Sequence, residues 1–249
     1  MFDAHLHIID NRFPVYENNG YTPNPYTVQD YTRAINSLGI NGGAIVSGSF
    51  QKFDQTYLID ALGQLGEGFV GVTQLPASTT DEEILSFHKK GIRAIRFNVN
   101  RGGSEDISHL KAFSNRVYNL VGWHTELYIH SRQLKQYLPI IEALPAVSID
   151  HLGLGKEGLP ELYHLAEKGV RVKATGFGRL DFDPKPVIRR LYEIHPDILL
   201  FGTDLPSTRA PSPFKKEDLT IIKESLVHPE AIERVLEKNA QAWYIDRFH

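Results

Sequence analysis

The sequence predicts a single (β/α)8 TIM barrel, and three observations carry that prediction. The chain has 249 residues, close to the roughly 250 that one such barrel takes. Short apolar, β-branched runs alternate with longer amphipathic stretches from one end to the other, the pattern of parallel strands joined by helical crossovers. The first run carries His5 and His7 near its end, and barrel chemistry sits at the C-terminal ends of strands. Nothing marks a seam, so residues 1–249 read as one domain.

Taken in order, strands are expected over residues 2–8, 43–49, 69–75, 92–99, 125–130, 146–151, 170–175 and 198–203. Helices are expected between them at 27–38, 55–65, 81–90, 108–121, 134–143, 159–168 and 184–194, with 216–243 closing the chain as one or two more. Gly39, Gly91 and Gly169 each stand just before a strand, where a residue tolerant of positive φ stops a helix. Eight such units with right-handed crossovers favour a closed barrel over a doubly wound open sheet. The open sheet also lacks support because no Gly-x-Gly-x-x-Gly turn follows the first strand, as a dinucleotide fold requires.

Composition narrows the function classes. Hydrophobic residues at 41% and charged residues at 23% describe an ordinary globular protein. With 27 basic against 30 acidic side chains, no nucleic-acid footprint is present, and no apolar run reaches the roughly 18 residues of a membrane span. A functional strand at the first residues leaves no room for a secretory signal, so a cytoplasmic location is the expectation. The absence of cysteine excludes disulfides, thiolate zinc sites and thiol nucleophiles.

The chemistry begins at Asp3-Ala4-His5-Leu6-His7. Side chains of an extended strand alternate faces, so Asp3, His5 and His7 are expected to point one way. Two convergent imidazoles suit a divalent metal or a proton-transfer site. Further polar residues close later strands: Tyr128-Ile129-His130, Asp150-His151 and Thr203-Asp204. A carboxylate held near histidines stays ionised and can take a proton from water, which casts Asp204 as a base beside His151. In Gly91-Ile92-Arg93-Ala94-Ile95-Arg96-Phe97-Asn98, alternation sets Arg96 and Asn98 on one face and Arg93 on the other, and a buried guanidinium needs an anionic partner. Ser47 and Ser49 share a face at the end of the second strand and offer hydroxyls to a substrate. The other histidines, His88, His109, His164, His195, His228 and His249, fall on helices or the tail and receive no role. The irregular stretch 9–26, with Pro14, Pro23, Pro25, Tyr16, Tyr21 and Tyr26, is long for a barrel loop and reads as a lid or binding segment. A second, 205–215, holds Arg209 and follows the last strand on the same face.

The segments DAHLHIID, GIRAIRFN, SIDHLGLG, VKATGFGRL, FGTDLP and VLEKNAQAWY, in that order and spread over the whole chain, resemble the amidohydrolase superfamily. The resemblance is to its second large family, small TIM-barrel hydrolases that include lactonases of pyrone dicarboxylates and sugars alongside decarboxylases of the aminocarboxymuconate-semialdehyde type. It implies a lactonase that opens a cyclic ester of a small, anionic molecule. It further implies that Arg96 and Arg179, with Arg101, bind a substrate carboxylate. A metal-dependent decarboxylase, an enzyme acting on amides or phosphoesters, and a non-catalytic binding protein are the alternatives. Arg96 and Asn98 stand where two-metal relatives place a bridging ligand, so a two-metal site is not expected. One divalent ion, zinc or manganese, on His5, His7, His130 and Asp204 is one version of the site, and a metal-free mechanism is the other. His130 is the residue on which the two versions divide.

Overall fold

The computed structural model describes residues 1–248; His249 lies outside the described residues. Strands β1 (Phe2–Leu6), β2 (Gly42–Val46), β3 (Phe69–Thr73), β4 (Ile92–Asn98), β5 (His124–Tyr128), β6 (Val147–Ile149), β7 (Arg171–Ala174) and β8 (Leu199–Phe201) form one eight-stranded parallel sheet in sequence order. Helices α1 (Val28–Ile35), α2 (Thr56–Leu65), α3 (Asp81–Lys89), α4 (Leu110–Val121), α5 (Leu134–Ile141), α6 (Leu159–Glu167) and α7 (Pro184–Ile194) connect them. The 216–243 stretch divides into three helices rather than one or two: α8 (Asp218–Leu226), α9 (Pro229–Glu233) and α10 (Asn239–Tyr244), the last two joined by a π turn, Arg234–Lys238.

Local chemistry accounts for the boundaries. Thr27 and Thr80 cap α1 and α3, each in a reciprocal box with an acid three residues on, Asp30 and Glu83; these satisfy amides that the first turn leaves free. The α1 expectation at 27 thus began on the cap itself. Alternation then sorts the strands into two packed layers. Leu6, Ile45, Ile95, Phe97, Leu127, Ile149, Val172 and Phe201 pack with the helices, whereas Phe2, Ala4, Ala44, Val46, Val70, Val72, Ala94 and Leu200 form a separate cluster with Tyr244 of α10. Tyr244 stacks on Phe2 with ring centroids 5.6 Å apart and plugs the N-terminal end of the barrel.

The seam between β1 and β8 closes through a side chain. Asp3 Oδ1 accepts the Thr203 amide at 2.8 Å and Asp3 Oδ2 the Thr203 hydroxyl at 2.6 Å, while Tyr31 of α1 donates to Oδ2 at 3.1 Å. Beyond it, the Asp204 amide donates to the His5 carbonyl at 2.7 Å and the His7 amide to the Leu205 carbonyl at 2.8 Å. This corrects the expectation that Asp3 shares a face with His5 and His7. Asp3 pairs with Gly43 and Leu6 with Ile45, so β1 advances three residues while β2 advances two. Such a bulge shifts the alternation by one, turning Asp3 toward α1 while His5 and His7 stay in the lumen.

Replacing Asp3 by Ala should cost about 3 kcal/mol or more of unfolding free energy, because buried donors on Thr203 and Tyr31 lose their acceptor together. Urea denaturation checks this, and a loss below about 1 kcal/mol would show that Asp3 does not close the seam.

Candidate active site

The C-terminal mouth of the barrel collects ionisable side chains from β1, β4, β6, β7 and the segment after β8. Asp204 stands at their centre. Its Oδ1 lies 3.9 Å from His5 Nε2, 3.7 Å from His7 Nε2 and 4.0 Å from His151 Nε2. Its Oδ2 accepts Arg179 Nε at 2.7 Å, with Arg179 Nη2 also at 2.7 Å. All five side chains are buried or nearly so. Burial alone would raise the Asp204 carboxyl, but Arg179, His151, His7 and His5 outweigh it and hold the group well below the usual carboxylate range. Burial pushes His5 down to about 3 and His151 well below an ordinary imidazole, so both rings are neutral at neutral pH.

The backbone is bent to bring these groups together. His151 and Asp204 both have positive φ, 52° and 62°, a conformation that non-glycine residues adopt only when their surroundings enforce it. Two glycines make the approach tolerable. A Cβ on Gly202 would lie 2.7 Å from the His5 amide nitrogen, and one on Gly176 would lie 2.6 Å from His151 Nδ1.

Asp150 forms a second anionic centre. Arg96 donates to its Oδ2 through Nε at 3.2 Å and Nη2 at 2.7 Å, and to the Ser47 carbonyl through Nη1 at 2.7 Å. A guanidinium has five N–H groups, so Arg96 keeps two for the cavity it lines. Asp150 Oδ1 lies 3.4 Å from His5 Nδ1 and 3.6 Å from Lys173 Nζ. Burial opposes ionisation of Asp150, but Arg96, His5 and Lys173 hold its pKa well below normal. Beneath, Lys173 pairs with Glu126, which also meets His124 Nε2 at 3.2 Å and the Tyr244 hydroxyl. Three acids, Glu126, Asp150 and Asp204, thus face three cations, Arg96, Lys173 and Arg179.

The cavity above is lined by His7, Ser49, Arg96, Arg101, Tyr128, His151, Arg179 and Arg209. Arg101 reaches it on the edge of Tyr128, with Nε 3.3 Å from the Tyr128 hydroxyl. Ser49 lines it while donating to Asn18 Oδ1 at 3.0 Å, which seats the long first loop over the mouth. Two sequence expectations are corrected. Ser47 turns its hydroxyl away, to Tyr57 of α2 at 2.7 Å, because it follows Ile45 on the strand face that packs with the helices, while Ala44 and Val46 face the lumen. His130 does not join His5, His7 and Asp204; it is half-buried at the outer mouth, where it caps the turn after β5 and takes the Arg132 amide on Nδ1 at 3.4 Å. Strand β5 fills the lumen with Glu126 and Tyr128 instead, and ends before His130.

His5, His7 and Asp204, and separately His5, Asp150 and His151, are close enough to share a metal ion. His5 Nε2 and Asp204 Oδ1 are buried without a hydrogen-bond partner, as expected of atoms that meet a water, a substrate or an ion. The donor types fit a divalent cation.

The family model described as amidohydrolase matches residues 2–245. The chain belongs to the amidohydrolase family. A 2-pyrone-4,6-dicarboxylate hydrolase of Comamonas testosteroni is 27% identical over 232 residues, covering 82% of this chain and 76% of that protein. A 4-sulfomuconolactone hydrolase of Rhizobium radiobacter is 28% identical over 225 residues, covering 82% and 75%. Among solved structures, a probable 2-pyrone-4,6-dicarboxylic acid hydrolase of Acinetobacter baumannii with citric acid bound superposes with a TM-score of 0.81 at 22% identity over 98% of both chains. That likeness confirms the barrel. Among the described residues of this amidohydrolase, no helix is long and apolar enough to cross a membrane.

Sequence reasoning gave no role to Asp150, Glu126, Lys173 or Tyr244. A signal existed for Lys173: alternation in Val172-Lys173-Ala174 sets a lysine opposite the two apolar residues that pack on the helices.

The buried histidines make stability acid-sensitive. His5, His151 and His124, the last pushed down to about 4 by burial, stay neutral in the fold while their unfolded counterparts protonate near 6.5. The unfolded chain therefore binds more protons as pH falls from about 6.5 to about 4, and stability drops. Asp3, raised to about 6 by burial, works in the opposite direction but is one group against three. Unfolding free energy should fall by on the order of 1 to 3 kcal/mol per pH unit over that range. Denaturant titrations at several pH values check this, and a flat profile would contradict the neutral assignment.

Proposed function

We propose that this amidohydrolase opens a lactone: water adds to the ring carbonyl, the acyl–oxygen bond breaks, and a hydroxy acid leaves. The observation that carries the reading is Asp204 Oδ1, ionised and without a hydrogen-bond partner, facing the neutral rings of His5 and His151 and the Nε2 of His7 below a cavity lined with guanidiniums. The named hydrolases among its relatives act on a pyrone dicarboxylate and on 4-sulfomuconolactone, which supports a cyclic ester bearing an anionic group as substrate.

The hydrogen bonds assign the roles. His7 Nδ1 meets the Val46 carbonyl at 2.7 Å, and a carbonyl only accepts. The proton therefore sits on Nδ1, and the Nε2 lone pair faces Asp204. A water between them donates one hydrogen to each and turns its own lone pair outward. As it attacks, Asp204 takes the proton and later returns it to the departing alkoxide. His5 and His151 flank the other side of Asp204 and stabilise the oxyanion that forms on the carbonyl oxygen. Arg179, Arg96 and Arg101 hold the substrate carboxylate, which fixes the carbonyl over the water. Ser49 lies on the cavity wall and contributes its rim.

The metal-free version of the site is favoured by two observations. His130, the fourth ligand of the mononuclear version, stands away from His5, His7 and Asp204. The three buried acids are already matched by three buried cations, so a divalent ion adds two unmatched charges to the barrel interior, where charge is costly. The unpartnered His5 Nε2 and Asp204 Oδ1 support the other version. There His5, His7 and Asp204 would hold one zinc or manganese ion, whose chemistry is to polarise the ester carbonyl and acidify a bound water. A cytoplasmic enzyme acting on small anionic metabolites fits the composition.

Replacing Asp204 by Asn should reduce turnover of 2-pyrone-4,6-dicarboxylate or a muconolactone at least about a hundredfold with the fold retained, since an amide cannot act as a base. Acid release without carbon dioxide, followed by pH-stat, is the expected signal in the parent enzyme. Near-parental activity of the variant, or gas evolution, would overturn the reading.

Metal analysis separates the two versions. Treatment with a strong chelator should leave activity within about twofold, and His130→Ala should retain turnover, because His130 touches no reacting group. Loss of activity to the chelator with recovery on added zinc or manganese would decide for the mononuclear site.

A further inference from the structure

The ionic chain beneath the site does more than balance charge. Lys173 is fully buried at mid-barrel on β7 and its ammonium can only donate. It pairs with Glu126, and Glu126 is held from below by His124 and by Tyr244 of α10. Lys173 Nζ also lies 3.4 Å from His5 Nδ1 and 3.6 Å from Asp150 Oδ1. Asp150 Oδ1 lies at the same distance from that nitrogen, 3.4 Å, and competes for it as the acceptor of an Nδ1 proton; the ammonium meets hydrogen-bond geometry with Nδ1, whereas Asp150 Oδ1 does not. A nitrogen that accepts from an ammonium carries no proton of its own. In a neutral imidazole the single proton must then be on the other nitrogen, Nε2.

We propose that Lys173 is a positioning residue that holds His5 in the Nε2–H tautomer. The two histidines of the first strand then differ in kind. The Val46 carbonyl puts the His7 proton on Nδ1 and leaves a lone pair toward Asp204, whereas Lys173 puts the His5 proton on Nε2 and aims a donor into the same space. One ring receives a hydrogen from water and the other offers one to a developing oxyanion. Without Lys173, His5 Nδ1–H would turn to Asp150 Oδ1, and Nε2 would face the site as a lone pair. The C-terminal helix takes part at one remove, since Tyr244 and His124 fix the carboxylate that fixes Lys173. The tautomer stands on this geometry alone; its effect on rate rests on the lactonase reading, and the two are measured separately.

The test is long-range proton–nitrogen correlation NMR on the intact protein with its histidine rings labelled with nitrogen-15, the His5 signals being those lost in His5→Gln. In the parent protein His5 should show a protonated Nε2 and an unprotonated Nδ1, and His7 the reverse. A protonated Nδ1 on His5, whether from Asp150 or from an ion on Nε2, would overturn the proposal. The second arm is the double variant Lys173→Met with Glu126→Gln, which removes the buried pair together and leaves no lone charge. There the His5 proton should move to Nδ1, and kcat should fall about tenfold or more with KM within about twofold, since Lys173 touches nothing in the substrate cavity. A His5 tautomer unchanged in the double variant would show that Lys173 does not set it. Should the variant not fold, the parent spectrum alone decides the tautomer.

Discussion

Mutual neutralisation of buried charge is the constraint on which the structure depends. Glu126, Asp150 and Asp204 sit inside the barrel within reach of Lys173, Arg96 and Arg179, and none of the six could remain charged there alone. Their pairing ionises Asp204 while leaving one of its oxygens without a protein partner. In the proposed reaction, a base deprived of solvent and of a competing hydrogen bond, yet still ionised, is what attack by a held water requires. His5 and His151 stay neutral in the same surroundings because burial opposes their protonation more strongly than the acids favour it.

The fold exists to hold that cluster and is strained by it. Most of the barrel obeys strand alternation, with one set of side chains in the lumen and the other under the helices. Departures concentrate at the mouth: the β1 bulge that turns Asp3 outward, the positive φ of His151 and Asp204, and the glycines that let Gly202 pass His5 and Gly176 pass His151. Asp3 then compensates at the seam, where it joins β1, β8 and α1 through side-chain acceptors in place of a regular ladder.

The barrel was legible in the sequence because eight apolar runs separated by amphipathic helices admit few topologies. His5, His7, His151 and Asp204 were legible because each ends a strand or follows one, Arg96 because alternation turns it inward, and Arg179 through the family resemblance of its segment; the structure gathers all six. His130 was misleading: counting by alternation from Tyr128 carries it inward, but β5 ends at Tyr128 and the chain turns before His130 arrives. Ser47 failed because the face it shares with Ile45 is the one that packs on the helices, and only Ser49, past the end of β2, reaches the cavity. Asp3 failed because a bulge cannot be read from alternation that it interrupts. Lys173, Glu126 and Asp150 form a network whose members lie on three different strands, and pairing of that kind is decided by the closed barrel rather than by spacing along the chain.

The proposed mechanism places the new bond between a water oxygen and the acyl carbon. Turnover of a lactone substrate in oxygen-18 water, with the product analysed by mass spectrometry under single-turnover conditions, tests this directly. One label should appear in the new carboxylate and none in the hydroxyl. Label in the hydroxyl, which requires attack on the alkyl carbon, would contradict an Asp204-held water facing the carbonyl.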